Sequence, residues 1–84
     1  YPNPFNPETT IEFNVPVNDY VKIDVFNTAG QLVASMVDDD LSAGSYKATW
    51  DATDKAGSQV SSGVYFYRMQ AGDFTDTRSM TLLK

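Results

Sequence analysis

Acidic side chains give this sequence its one spacing that could bind a cation. Asp38, Asp39 and Asp40 are consecutive, and Asp51 and Asp54 flank the loop before Gly57. Calcium takes carboxylate oxygens as ligands, but this spacing matches no EF-hand loop. Three consecutive carboxylates beside a strand cannot all point at one ion. We interpret these residues as solvated loop acids, and we predict no metal and no other cofactor.

The residue types that catalyse reactions near neutral pH are missing. The sequence has no histidine and no cysteine, which removes the usual general base and the thiol nucleophile. A Ser–Lys pair is formally possible, but no motif supports one. Paired carboxylates could act on glycosides, yet the acids here fall in loops or at outward strand positions, where solvation explains them. We predict that the domain is not an enzyme.

Composition restricts the classes of partner. The net charge is −5, from eleven acidic and six basic residues, which argues against nucleic acid and against an anionic membrane surface. The absence of cysteine rules out a disulfide framework. A chain of 84 residues that is 42% hydrophobic can form one domain around one core.

Apolar and polar residues alternate along most of the chain, which predicts β-strands and almost no helix. For the third strand the alternation does not identify which face points inward, because both registers carry apolar residues. The predicted strands are residues 9–15, 21–26, 32–37, 45–51, 64–70 and 74–83. The side chains that the alternation groups on one face are Ile11, Phe13 and Val15; Val21, Ile23 and Val25; Tyr46, Ala48 and Trp50; and Tyr65, Tyr67 and Met69.

Short strands separated by turn signals predict an all-β fold, an immunoglobulin-like antiparallel β-sandwich of six to seven strands. A small barrel is the alternative. Asn27 to Gly30 is typical of a type I turn with glycine in the left-handed position. The three aspartates 38–40 are predicted to break the third strand. We expect the chain to cross between sheets in residues 38–44 and 52–63.

One local pattern occurs twice. Residues 41–46 and 60–65 both read apolar-x-x-Gly-x-Tyr, with Gly44 before Tyr46 and Gly63 before Tyr65. The pattern resembles the corner of immunoglobulin-like folds, where a tyrosine hydroxyl hydrogen-bonds back to the approaching loop. Ordinary strand entry after a glycine is the alternative.

Aromatic residues suggest a possible binding strip. Given the alternation, four of them cannot all be internal: Tyr20, Phe26, Phe66 and Tyr67. An exposed strip could stack on sugar rings, as in carbohydrate-binding sandwiches, or pack against a neighbouring domain. Aromatic strand residues more commonly serve cross-strand pairing and the core.

The N-terminal segment reads as a junction. All but one of the four prolines lie in the first seven residues, and proline restricts both its own φ and the residue before it. We predict a stiff lead-in over residues 1–8 that follows an upstream domain, with residues 1–4 as a possible seventh strand. The sequence does not begin with methionine, so we expect a piece of a longer chain.

Several motifs occur in one order. They are the lead-in of Tyr1, Pro2, Asn3, Pro4, Phe5, Asn6 and Pro7, then Val25 to Gln31 with Gly30, then Gly44 through Trp50 and Asp51, then Ser62 to Arg68, and finally Thr77 to Lys84. This order resembles the type A C-terminal sorting domain of type IX secretion cargo proteins. It is also similar to the immunoglobulin-like module of the flagellar hook-capping protein.

The resemblance implies a non-catalytic domain at the C-terminus of an exported protein. Such domains carry cargo from the periplasm through an outer-membrane translocon, and a surface sortase then removes them. The parent would be secreted or on the surface of a Gram-negative-type bacterium. The residues that the resemblance assigns to recognition are Gly63, Val64, Tyr65, Arg78, Met80, Leu82 and Lys84. Two positions depart from the family: Ala52 replaces a usual glycine, and Ser79 replaces a common basic residue.

Two other interpretations remain open. The domain could be a structural module of a secreted multidomain enzyme, or a carbohydrate-binding one. Upstream domains of the same polypeptide are expected partners in all three cases, and the translocon and sortase join them if the domain is a sorting domain. Neither nucleic acid nor direct membrane insertion is expected in any of the three cases.

Overall fold

The computed structural model describes residues 8–83, so the lead-in residues 1–7 and Lys84 lie outside the described residues. The possible seventh strand at residues 1–4 falls in the same undescribed part. The described residues form six strands, one for each predicted segment. The strands are β1 (Thr9–Val15), β2 (Asp19–Phe26), β3 (Leu32–Leu41), β4 (Gly44–Trp50), β5 (Gly63–Ala71) and β6 (Phe74–Leu82).

The strands form two antiparallel sheets. The smaller sheet contains β1 and β4, and the larger one has the order β3-β2-β5-β6. The predicted sandwich is confirmed, and the barrel is not formed by the described strands. The chain crosses between sheets in three places: residues 16–18, residues 42–43 and residues 51–62. Residues 42–43 lie within the predicted link 38–44, and residues 51–62 overlap the predicted link 52–63 from residue 52 onward.

The core consists of two apolar clusters between the sheets. Half-buried Met36 and Tyr67 pack against both, which joins them into one interior. The first cluster contains Ile11, Val15, Val21, Ile23, Met69 and Ala71. The second cluster contains Val25, Ala34, Trp50, Ala52, Tyr65 and Leu82. The predicted inward faces of β1, β2 and β4 are confirmed, with Phe13, Tyr46 and Ala48 half-buried against the first cluster.

The predicted break at residues 38–40 is wrong, because these aspartates lie inside β3. Each has a partner on β2: Asp38 pairs with Lys22, Asp39 with Val21 and Asp40 with Tyr20. All three aspartates are exposed. An edge strand tolerates charge because its side chains reach water while its backbone completes the ladder.

A β-bulge explains why no single inward face of β3 could be chosen. Ile23 pairs with Val37, while the next residue, Asp24, pairs with Ser35, so Met36 has no direct partner on β2. Before the bulge the even-numbered Ala34 faces the core, and after it the odd-numbered Val37 does. One extra residue changes the phase of the alternation, so both registers carry apolar residues.

The prediction that Asp24 is solvated at an outward position is also wrong. Asp24 is only 5% exposed. It lies on the outer face of β2, a central strand, where side chains of β3 and β5 cover it. Ser35 Oγ donates a 2.8 Å hydrogen bond to its carboxylate, and Lys22 Nζ lies 3.8 Å away. Burial on a central strand therefore requires partners for this charge.

Candidate recognition surface

Both copies of the repeated pattern form tyrosine corners. The Tyr46 hydroxyl donates to the Ser42 carbonyl at 2.6 Å, and the Tyr65 hydroxyl donates to the Ser61 carbonyl at 2.7 Å. The glycine two residues before each tyrosine has nearly the same φ, 154° at Gly44 and 151° at Gly63. Residues with side chains rarely adopt this φ, so glycine is required at both corners. The predicted corner geometry is confirmed twice.

The second corner is locked to the end of β4. The Tyr65 and Trp50 rings pack edge-to-face with centroids 5.1 Å apart, and Trp50 Nε1 donates to the Thr53 carbonyl at 2.9 Å. Asp51 accepts hydrogen bonds from the backbone and the hydroxyl of Thr53. Trp50 and Asp51, which belong to the motifs found in the sequence, therefore fix the loop that leads to β5.

Two hairpin turns bring the strands into register. At the β2–β3 turn the amide of Gly30 donates to the Asn27 carbonyl at 3.0 Å, and Gly30 has a φ of 80°. The Asn27 side chain accepts from the amides of Ala29 and Gln31. This is the predicted type I turn. The β5–β6 hairpin is tighter, with a two-residue loop, Gly72 and Asp73, between the paired Ala71 and Phe74.

The predicted recognition residues do not form one surface. Tyr65 and Leu82 are buried in the second cluster, and Gly63 and Met80 are half-buried. Val64 is 44% exposed on the outer face of the larger sheet. Arg78 is exposed on the inner face of the sheet, where it pairs across the strands with Tyr67. Lys84 lies outside the described residues. Of the six predicted recognition residues within 8–83, only Val64 and Arg78 present much side chain to a receptor without unfolding.

The last strand, β6, is an edge of the larger sheet. It pairs with β5 on one side and with no other described strand. Arg78 Nε contacts the Asp76 carboxylate at 2.9 Å on the inner face. This hydrogen bond and the charge of Asp76 raise the pKa of Arg78 above its ordinary value, so the guanidinium stays charged. Asp76 was missed in the sequence, although alternation along β6 places it on the face of Arg78.

The outer face of the larger sheet does not carry a continuous aromatic strip. Phe26 and Phe66 are half-buried neighbours, but the Arg68 guanidinium lies 4.7 Å from the Phe26 ring centroid and covers that ring. Tyr67 points inward to the core. Exposed Tyr20 lies at the far end of β2. A flat ring platform for sugar stacking is therefore interrupted by a charge.

The acidic end of β2 and β3 is held by hydrogen bonding. The Tyr20 hydroxyl donates to the Asp38 carboxylate. This bond raises the pKa of Tyr20 above its ordinary value, with smaller contributions from desolvation and from the charges of residues 38–40. In residues 8–83 no three acidic, histidine or cysteine side chains are grouped so that they could hold a metal ion.

A surface concavity in the described part of the chain lies beside the second corner. It has a volume of about 680 Å³ and is open to solvent. Asp54 is the one ionisable carboxylate that lines it, and its Oδ1 already accepts from the amides of Ala56 and Ser58. The groove therefore contains no acid–base pair. None of residues 8–83 belongs to a helix long and apolar enough to cross a membrane.

Most of this chain matches a known protein family. The family model described as the FlgD Ig-like domain matches residues 6–73. The chain belongs to the FlgD Ig-like domain family. The immunoglobulin-like part of the predicted fold is thereby confirmed. A search of curated proteins finds no match.

The crystal structure of FlgD from P. aeruginosa is similar to this FlgD-like domain in fold. The TM-score is 0.70 at 24% sequence identity, and the match covers 89% of this chain. It covers 58% of the P. aeruginosa chain, so this chain spans a little more than half of that protein. The family-model match ends at residue 73, one residue before β6 begins.

Proposed function

We propose that this FlgD-like module is a non-catalytic C-terminal sorting domain. It directs an exported parent protein from the periplasm through the outer membrane to the cell surface, with the translocon and a surface sortase as partners. The observation that carries this proposal is the placement of β6. Among the described strands β6 pairs only with β5, so it lies at a sheet edge, and it follows the segment that matches the family model.

Recognition of an edge strand would work mainly through the backbone. A receptor strand added beside β6 completes a row of hydrogen bonds, and side chains provide specificity. Arg78 is the charged group most accessible to such a receptor, with its side chain 69% exposed. Met80 and Leu82 lie on the same face and anchor the strand to the core.

A reporter export assay tests the proposal. A periplasmic reporter is fused ahead of Tyr1 and expressed in a bacterium that has a type IX secretion system. Surface delivery is expected with residues 1–84 and retention in the periplasm is expected without residues 81–84. Because that deletion removes buried Leu82, Arg78→Glu is the sharper variant.

Lys47→Glu is its matched control, since Lys47 is an exposed strand residue outside β6 and the charge change is the same. Reduced surface delivery is expected for Arg78→Glu and normal delivery for Lys47→Glu. Normal surface delivery of the fusion that lacks residues 81–84 would contradict the proposal.

A second candidate function is a role in flagellar hook assembly. The family match and the fold of P. aeruginosa FlgD favour it. Replacement of the Ig-like module of FlgD by residues 6–83 in a motile bacterium tests this candidate. Restored motility would support it, and loss of motility together with surface delivery of the reporter would support sorting.

A folded fusion that is neither delivered nor able to restore motility would favour a passive accessory module. Affinity electrophoresis on plant and microbial polysaccharides then separates a carbohydrate-binding module from a structural one. Retarded migration indicates carbohydrate binding.

A further inference from the structure

We infer that β6 is a self-complementary edge through which two copies of this domain pair as an antiparallel, two-fold symmetric dimer centred on Thr77. The inference goes beyond the proposed export function, because its partner is a second copy of this chain. It rests on the shape of the edge, on its backbone groups and on the order of its side chains.

The two edges of the larger sheet differ in their suitability for pairing. The β3 edge carries two register irregularities and three exposed aspartates, features that discourage a further strand. The β6 edge has nine residues in unbroken register with β5 and contains no proline. Within residues 8–83 this edge has no second strand partner, and regular edges of this kind are templates for strand addition.

The backbone alternation of β6 fixes which groups reach the free edge. Ala71 and Phe74 flank the two-residue loop and form the pair nearest the turn. In such hairpins the flanking pair exchanges both hydrogen bonds, and the pattern then alternates. The amides and carbonyls of Thr75, Thr77 and Ser79 therefore point away from β5, toward the place of a new strand.

One symmetric register pairs opposite charges. With Thr77 opposite Thr77 of the partner subunit, Asp76 lies opposite the partner's Arg78 and Arg78 opposite the partner's Asp76. A shift of two residues either way places Asp76 opposite Asp76 of the partner subunit, or Arg78 opposite Arg78 of the partner subunit. Opposite charges directly across a strand pair stabilise it, and like charges destabilise it.

The same register matches the remaining side chains. Phe74, which is 55% exposed, lies opposite Met80 of the partner subunit on the inner face. Thr75 lies opposite the partner's Ser79 on the outer face, so hydroxyls face hydroxyls. A two-fold interface requires this reciprocity, because each residue and its partner exchange roles across the axis.

Charge exchange on β6 tests the dimer. Sedimentation velocity over a concentration series is expected to show a monomer–dimer equilibrium for the 84-residue chain. Arg78→Asp and Asp76→Arg should each be monomeric, because each places like charges opposite one another. An equimolar mixture of these two variants should recover a dimer, since one then carries two acids and the other two bases on facing strands.

The controls exclude loss of dimerisation through unfolding and dimerisation through surfaces other than β6. Circular dichroism must show that both variants retain the wild-type strand spectrum. Glu12 on β1 and Lys47 on β4 are exposed and pair with each other, far along the chain from β6. Glu12→Lys and Lys47→Glu should therefore leave dimerisation unchanged. A wild-type chain that stays monomeric at the highest concentration, or variants that fail to associate on mixing, would overturn the inference.

Discussion

At the scale of single residues, the two tyrosine corners have the same geometry and different surroundings. Tyr65 is 7% exposed and packs against Trp50, whereas Tyr46 is half-buried and stacks on Phe13 with centroids 5.6 Å apart. The Tyr65–Ser61 hydrogen bond is partly buried and the Tyr46–Ser42 bond is exposed, and water replaces a lost partner more easily at an exposed bond. The hydroxyl of Tyr65 should therefore contribute more to stability than that of Tyr46.

This difference gives a direct prediction. Tyr65→Phe should lower the free energy of unfolding by about 1 kcal/mol, the usual effect of one lost hydrogen bond, and Tyr46→Phe should lower it by less. Urea denaturation followed by Trp50 fluorescence measures both values. An equal or larger loss of stability in Tyr46→Phe would show that burial does not determine how much each corner hydrogen bond contributes.

Ala52 occupies a backbone conformation that usually favours glycine. It has a φ of 64°, a left-handed conformation that favours glycine, yet its side chain is fully buried in the second cluster. A left-handed backbone costs an alanine roughly 1–2 kcal/mol. Burial of its methyl group offsets about 0.8 kcal/mol of that cost, which helps this turn to tolerate alanine.

At the scale of elements, β3 shows how a bulge reconciles an edge strand with a core. Met36 has no direct partner on β2 and packs against both clusters, while Val33, at the second irregularity, packs against the second cluster. The bulge lets β3 contribute apolar side chains along its first part and exposed charges along its last part. It therefore serves both packing and protection of the edge.

Truncation of these two residues should separate their roles. Met36→Ala should lower the free energy of unfolding by about 2 kcal/mol, at the low end for a core methionine because Met36 is half-buried. Val33→Ala should cost about 1 kcal/mol. Guanidinium denaturation of the two variants provides the comparison, and a larger loss for Val33→Ala would contradict the bridging role of Met36.

At the scale of the whole molecule, the described residues form one interior rather than two. Met36 and Tyr67 contact both clusters, and β2 and β5 contribute buried side chains to each of them. Loss of one cluster therefore removes support from the other. Domains of this size normally unfold in one cooperative step.

We accordingly expect the two clusters to unfold together. Trp50 fluorescence reports on the second cluster, and methyl NMR signals of Ile11 and Ile23 report on the first. The two probes should give the same urea midpoint. Separate midpoints would mean that one cluster can come apart while the other stays packed.

The sequence alone determined the strands, the turns and the corners, because these depend on local chemistry. Alternation located all six strands, and the spacing of Gly44 with Tyr46 and of Gly63 with Tyr65 indicated tyrosine corners, with ordinary strand entry as the alternative. Resemblance to the FlgD module was also readable from the order of the motifs. These features require only neighbours within a few residues along the chain.

The tertiary structure alone decided which strands became edges and which outward residues were buried. Asp24 is buried because β2 lies between β3 and β5, and the aspartates 38–40 remain in a strand because β3 has a free side. The same placement leaves β6 with β5 as its one partner among the described strands. Strand order in a sheet depends on long-range packing between the sheets, and no local pattern of residues specifies it.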